Sequence, residues 1–290
     1  MKLLNEYLRE TFGCKVYKIA LNGGFTCPNR DGSIGTGGCI FCSEGGSGEF
    51  AEDPAFCITE QIDRGRDRVA DKIKDGRYIA YFQAYTGTYA PVEKLRRLYT
   101  EAVSHPDVVA LSIATRPDCL PGEVLDLLAE LNEIKPVWVE LGLQTIHEDT
   151  ARYIRRGYGL EIYDEAVRSL RNREIEVITH VIIGLPGESR EDILDTVRYV
   201  CGSGATGIKL QLLHVLKGTD LEKEYNAGRV SVLTEDEYID ILKDCVSIIP
   251  DSVVIHRLTG DGDKKILIAP LWSGDKKHVI NRIRREVTGL

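Results

Sequence analysis

The sequence lacks the features that would place the chain in a membrane or in an oxidising compartment. No stretch of its 290 residues approaches the roughly 18 consecutive apolar residues that a membrane-spanning helix requires. The first residues, MKLLNEYLRETFG, are charged and lack the apolar core of a secretory signal. Eight cysteines without an export signal favour a reducing cytosol, where such residues serve metals or redox chemistry. We therefore expect a cytoplasmic protein with no membrane partner.

The sequence also lacks an excess of positive charge. Its formal net charge is −8, which argues against non-specific binding of polyanions, although a local basic face can still contact nucleic acid. The segment KKHVINRIRR, residues 276–285, is either such a face or a solvated helix. No low-complexity segment or linker divides the chain, and its composition is that of an ordinary globular protein.

One cysteine-containing stretch stands out. Residues 27–42 read CPNRDGSIGTGGCIFC, with cysteines at the spacing C-x11-C-x2-C. A C-x2-C pair presents two thiolates to one metal centre, the surrounding glycines permit tight bends, and Phe41 can shield such a centre from water. Iron–sulfur clusters usually take four thiolates and structural zinc four Cys or His ligands, whereas only three cysteines are grouped here.

Two kinds of metal site remain open from this spacing. A cubane cluster held by three cysteines leaves one iron free to bind a substrate or cofactor. Alternatively, a zinc site could recruit Cys14, Cys57 or a histidine as its fourth ligand.

Apolar strands alternate with helices along the chain, which is typical of a parallel sheet covered by helices. The patterns predict strands at 15–21, 78–85, 108–114, 136–144, 176–186 and 207–216, and helices at 1–13, 59–75, 91–104, 121–133, 147–155, 161–173 and 190–202. Six such units predict an α/β fold, a partial (β/α)6 TIM-like barrel, over residues 1–218. We expect residues 219–290, with a helix at 234–249 and a strand at 252–258, to form a small C-terminal extension packed on this barrel.

Polar residues cluster where the predicted strands end and in a late glycine-flanked loop. The C-terminal ends of barrel strands form one rim, on which active sites are built. The cysteine loop follows the first predicted strand and belongs to the same rim. Each polar residue alone is as well explained by a structural role, but together they are our substrate-side catalytic candidates: Thr115, Arg116, Glu140, His180, His214, His256, Arg257 and Asp261.

Blocks along nearly the whole chain resemble the radical S-adenosylmethionine (SAM) superfamily. The similarity is strongest to a bacterial family related to the Elongator catalytic subunit and to oxygen-independent coproporphyrinogen oxidases. The long first cysteine spacing is similar to that of the Elongator-like group rather than to the commoner C-x3-C-x2-C. The blocks are KVYKIALNGGFTCPNRDGSIGTGGCIFC, YIAYFQAYTGTYAPVE, SIATRPDCLP, VWVELGLQTIHEDT, HVIIGLPGE, LQLLHVLKGTDL and IHRLTGDGD.

This resemblance implies a [4Fe–4S] cluster on Cys27, Cys39 and Cys42, with SAM on the open iron. Reductive cleavage of SAM would give a 5′-deoxyadenosyl radical that abstracts hydrogen from a substrate. An electron donor such as flavodoxin or ferredoxin is implied as a partner. By the same resemblance, the cofactor-binding residues are Phe41, Gln83, Tyr85, Gln144, Arg156, Gly184, Leu185 and Pro186.

The chain departs from the family pattern at two places. A Gly-Gly-Glu-like stretch that binds the methionine amine is replaced by QAYTGTY after the second strand, and a family histidine is replaced by Tyr158. The resemblance suggests tRNA as a partner, with the C5 side chain of a wobble uridine trimmed from carboxymethylaminomethyl to aminomethyl. The alternatives are a radical SAM enzyme acting on a small metabolite and a non-catalytic module that binds zinc, an iron–sulfur cluster or nucleic acid.

Overall fold

A parallel sheet organises the computed structural model, which describes residues 1–46, 48, 50–73, 76–260 and 262–289. In these residues eight strands form the sheet in the order β1-β9-β7-β6-β5-β4-β3-β2. Their bounds are β1 Lys2–Leu3, β2 Val16–Leu21, β3 Arg77–Phe82, β4 Val108–Thr115, β5 Val137–Gln144, β6 Glu176–Ile183, β7 Gly207–Leu212 and β9 Val254–Arg257. A separate antiparallel pair joins β8, Val215–Leu216, to β10, Leu267–Ala269. The sheet curls into a half-barrel, and the expected partial TIM-like barrel is confirmed.

Helices cover the outer face of the curled sheet. They are α1 Leu4–Phe12, α2 Ile58–Val69, α3 Val92–Ser104, α4 Gly122–Asn132, α5 Glu148–Tyr153, α6 Leu160–Arg171, α7 Arg190–Gly202, α8 Asp220–Asn226, α9 Glu235–Ile248 and α10 Lys276–Ile283. Outward-facing residues of alternate strand positions, such as Leu111, Val139 and Val177, are buried against the helices in one large apolar core. No helix in the described ranges is both long and apolar enough to cross a membrane.

Inward-facing residues form an apolar layer near the N-terminal ends of the strands, where α1 packs. Its buried members are Leu8, Val16, Ile79, Ala110, Trp138 and Ile178. The cysteine loop follows β2 and lies at the opposite end of the half-barrel, where the strands end.

The structure adds three elements that the sequence did not predict, namely β1, β10 and α8. The strand predicted at 207–216 is broken into β7 and β8, and β8 pairs with β10 outside the main sheet. Strand β1 has two residues, too few for a periodic pattern, and it pairs with β9. The late strand β9 in turn pairs with β7, so it extends the main sheet. Helix α8 was missed because only Leu221 within it is buried.

Candidate active site

The C-terminal ends of the strands open into one cavity of about 720 Å³. This volume lies within the roughly 300–1,000 Å³ that ligand pockets occupy, toward the upper end. Its wall brings together fifteen of the residues singled out from the sequence: Cys27, Cys39, Phe41, Cys42, Gln83, Tyr85, Thr115, Arg116, Glu140, Gln144, Arg156, His180, His214, His256 and Arg257. Asp261 lies outside the described residues.

The cysteine loop is anchored on both sides. The backbone N–H of Ile40 donates to the carbonyl of Ile154 at 3.2 Å, and the N–H of Leu221 donates to the carbonyl of Ile40 at 2.8 Å. Gly38, in the left-handed region at φ 72°, donates its N–H to the carbonyl of Asn29 at 2.7 Å. These contacts fix where the thiols of the C-x2-C pair point.

The thiols sit among hydrogen-bond donors and in a dry environment. The side-chain amide of Asn29 donates to the sulfur of Cys39 at 3.6 Å, and Arg30 donates to the carbonyl of Cys42 at 2.9 Å. Burial, together with the neighbouring Cys42, raises the pKa of the Cys39 thiol to about 12. Such a thiol becomes a thiolate at neutral pH only when a positive charge, such as a cluster iron, compensates it.

The three cysteines have the ligand count of a cluster with one open iron. All three are free of disulfide bonds and line the same cavity. A cubane held by three thiolates leaves one iron open to a further ligand. The donor set therefore fits a [4Fe–4S] cluster with one open iron.

Two cavity residues hold a strained backbone. Gln144 has φ 71° and Tyr85 has φ 58°, in the left-handed region that non-glycine residues rarely adopt. The side-chain Oε1 of Gln144 is buried without a hydrogen-bond partner in the described structure. Strained residues with unsatisfied polar atoms are typical of ligand-binding sites. This supports the prediction that Gln144 contacts a cofactor.

Arg156 is tied into the protein itself. Its side chain is 2% exposed, and its Nη2 donates to Glu148 at 2.8 Å. Its Nη1 donates to the carbonyl of Thr145 at 2.6 Å, and its Nε to the carbonyl of Tyr158 at 3.0 Å. Arg156 therefore links α5 to the end of β5, and its direct contact with a cofactor stays a prediction.

Tyr158 fills the position of the family histidine. Its ring lies between the guanidinium groups of Arg116 and Arg156, 5.0 and 4.8 Å from its centroid, and its hydroxyl donates to the carbonyl of Gly142. Tyr158 thereby ties the end of β5 to Arg116, which is held in turn by Asp118 at 2.7 Å.

The turn at 184–186 lies outside the cavity wall formed by the described residues. Leu185 is buried in a small apolar cluster with Ile40, Ile154 and Ile182. The turn therefore supports the cysteine loop from below. Its direct contact with a cofactor stays a prediction.

Below the rim, a buried polar group occupies the interior of the half-barrel. The Glu140 carboxylate, with its side chain fully buried, accepts from Lys18 at 2.5 Å, Ser112 at 2.7 Å and His180 at 2.8 Å, and it also pairs with Lys209. We call Lys18, Ser112, Glu140, His180 and Lys209 the interior polar cluster. Neither lysine was among the residues predicted from the sequence, although each interrupts an otherwise apolar strand at an inward position.

Burial and the two lysines determine how the pKa values of Glu140 and His180 are shifted. Burial opposes the ionisation of Glu140, yet the charges of Lys18 and Lys209 hold the pKa of its carboxyl well below the ordinary value. Burial, reinforced by Lys209, lowers the pKa of His180 to about 4. His180 is therefore neutral at pH 7 and accepts or donates through its imidazole without carrying charge.

The lowered pKa of His180 predicts acid sensitivity. The unfolded chain takes up the histidine proton near pH 6.5, whereas the folded chain resists it to about pH 4. The contribution of His180 to the free energy of unfolding is therefore fully present above pH 6.5. It falls by about 1–3 kcal/mol as the pH drops toward 4. Urea unfolding of the metal-free chain at several pH values measures the loss, which is smaller in His180→Gln. An unchanged pH dependence in that variant would contradict the assignment.

Comparison with known proteins identifies the family. Residues 27–200 match the Radical SAM superfamily and residues 205–288 match the Radical_SAM C-terminal domain. The chain is 49% identical over 284 residues to the uncharacterized protein YtqA of Bacillus subtilis, covering 98% of this chain and 88% of that protein. It is 29% identical over 184 residues to a tRNA uridine(34) acetyltransferase of Dehalococcoides mccartyi, covering 62% of this chain but 39% of that protein.

A solved structure shares the fold. The archaeal Methanocaldococcus infernus Elp3 superposes with a TM-score of 0.69 at 17% sequence identity, over 93% of this chain and 63% of that chain. The resemblance read from the sequence is thus confirmed, and the cysteine loop, the half-barrel and the matched residues agree. This chain belongs to the radical SAM superfamily, whose members are enzymes that use a [4Fe–4S] cluster and SAM.

Proposed function

We propose that this radical SAM enzyme modifies the wobble uridine of tRNA, trimming a carboxymethylaminomethyl side chain at C5 to aminomethyl. The proposal is carried by the course of the cavity, which runs from the three thiols at the rim to the lysines of the interior polar cluster. A base extruded from a nucleic acid, the usual way in which enzymes reach a base, can enter such a mouth with its side chain pointing inward.

The substrate class is supported by the likeness to tRNA uridine(34) acetyltransferases. The chain covers 39% of the Dehalococcoides protein, so acetyl transfer does not carry over. What the two chains share is the radical SAM part, and we transfer only the wobble-uridine target from it.

The roles of this chain's residues follow from the cavity. When bound, the cluster and SAM supply the chemistry that abstracts hydrogen from a substrate carbon. Cys27, Cys39 and Cys42 hold the cluster at the rim, and Gln144 and Tyr85 line the space beside it.

A small metabolite is the second candidate substrate, because two arginines of the basic C-terminal segment pair with carboxylates of the protein itself. Arg282 pairs with Asp236 at 2.5 Å and with Glu286 at 3.2 Å, and Arg285 pairs with Glu286 at 2.6 Å. His278 lies 3.0 Å from Glu235. These pairs reduce the positive charge that Arg282 and Arg285 offer to tRNA.

Deletion of the gene tests the tRNA assignment. We expect carboxymethylaminomethyluridine to accumulate in tRNA from the deletion strain and aminomethyluridine derivatives to disappear, as measured by mass spectrometry of digested nucleosides. The purified, anaerobically reconstituted enzyme should then convert that tRNA in the presence of SAM and a reductant. Unchanged nucleosides in the deletion strain would contradict the proposal.

Salt dependence separates the two substrate classes. Turnover of tRNA should fall steeply as salt rises, because phosphate contacts release counterions. Turnover of a small metabolite changes little over the same range.

A further inference from the structure

Two lysines of the interior polar cluster share one carboxylate. In the described part of the network, Glu140 is the single carboxylate facing Lys18 and Lys209, whose side chains are 18% and 3% exposed. Both lysines line the cavity.

The cations retain capacity to bind an anion. Lys18 donates to Glu140 and Ser112, and Lys209 to Glu140 and Tyr81, so each ammonium uses two of its three N–H donors in these bonds. Nδ1 of His256 is buried and has no hydrogen-bond partner among the described residues. Its ring is held edge-on to Trp138, with centroids 5.5 Å apart. Buried polar groups with unused hydrogen-bond donors or acceptors indicate a ligand that supplies the missing hydrogen bonds.

The electrostatics of Lys18 and Lys209 also favour the binding of an anion. Burial lowers the pKa of both lysines despite the contact with Glu140, and repulsion from Arg257 adds to the effect. An added anion would stabilise their charged forms.

The depth of Lys18 and Lys209 below the rim determines which part of a nucleotide can reach them. Lys18 and Lys209 each stand three residues before the end of their strand, at Leu21 and Leu212. At about 3.3 Å per residue, they lie about 10 Å below the rim. Backbone phosphates of a tRNA remain at the mouth, whereas the side chain of an extruded base can extend this far.

We propose that the carboxylate at the end of the wobble-uridine side chain binds between Lys18, Lys209 and Nδ1 of His256, an inference that rests on the proposed function. The carboxylate accepts the remaining donors of the two ammonium groups and an N–H of the imidazole. The enzyme then recognises its substrate by the group that it removes. A substrate without this carboxylate leaves the interior cations unpaired and is rejected.

A pair of small probes tests the carboxylate site without turnover. N-benzylglycine carries the same N-substituted glycine end as the proposed substrate, and N-benzylglycinamide has a neutral amide of similar size in place of the carboxylate. By calorimetric titration we expect the acid to bind the wild-type chain about 10- to 100-fold more tightly than the amide, the value of one charge-assisted hydrogen bond. Equal binding of the two probes overturns the inference.

Variants test whether Lys209 and His256 cause the preference for the acid over the amide. Lys209→Met should abolish it, and so should His256→Phe, which keeps the ring beside Trp138 and leaves the contacts of Glu140 intact. Lys243→Met, on the surface of α9, is the matched control and should retain the preference. A preference that survives both interior substitutions would overturn the assignment.

The outcome separates this inference from the proposed function. Conversion of tRNA without any preference for the acid overturns the carboxylate site and leaves the proposed function standing. A preference for the acid that depends on Lys209, without any conversion of tRNA, supports the carboxylate site and contradicts the tRNA assignment.

Discussion

Replacing Cys39 by alanine is expected to abolish both the iron–sulfur cluster and the formation of 5′-deoxyadenosine from SAM. Cys39 lines the cavity with Cys27 and Cys42, and the donor set has no spare thiol in the cavity wall of the described chain. With two ligands, a cubane would expose two irons and become unstable. The measurement is iron and sulfide content after anaerobic reconstitution, followed by chromatographic detection of 5′-deoxyadenosine under reducing conditions.

Cys201→Ala provides the matched control. Cys201 lies at the partly buried end of α7, away from the cavity wall, and its loss removes a sulfur without touching the rim. This variant should bind iron and cleave SAM as the wild type does. Full iron content in Cys39→Ala, or equal losses in the two variants, would contradict the role of the cysteine loop.

Glu140→Ala is expected to cause the largest loss of stability, about 3–5 kcal/mol in the free energy of unfolding. The carboxylate is fully buried, and its removal leaves two ammonium groups facing each other in a dry interior. Guanidinium unfolding of the metal-free chain measures the loss. Because the unpaired lysines can escape the penalty by losing protons, the variant should recover part of its stability between pH 7 and pH 9.

The surface carboxylate Glu130 supplies the comparison. It pairs with Arg96 on exposed helices, with a side chain that is 58% exposed. Glu130→Ala should cost far less stability than Glu140→Ala and show no recovery at alkaline pH. Similar losses in the two variants would show that the interior polar cluster contributes no more than a surface ion pair.

The features predicted from sequence were those carried by local pattern. Alternating apolar strands and helices predicted the half-barrel, because a parallel strand buried on both faces leaves a continuous apolar run. The three cysteines were identified by their spacing and Gln144 by the family resemblance, and strand ends that meet at one rim predicted that they share a cavity. Short elements such as β1 and α8 could not be predicted, since their formation depends on contacts with β9 and with Ile40.

Only part of the interior polar cluster was predicted from the sequence. Glu140 and His180 were placed among the strand-end candidates, yet both point into the barrel below the rim, where they bond to each other. Their partners Lys18 and Lys209 lie 191 residues apart in the chain, and only the closed curvature of the sheet brings both to one carboxylate. A lysine inside an apolar strand is the signal that would have found them.

Electron paramagnetic resonance of the reduced, reconstituted wild-type protein tests the central claim most directly. If Cys27, Cys39 and Cys42 hold a cubane with an open iron, the sample contains four irons per chain and its spectrum shifts when SAM is added. A protein that binds one zinc ion and no iron, or a cluster signal that SAM leaves unchanged, would contradict the account.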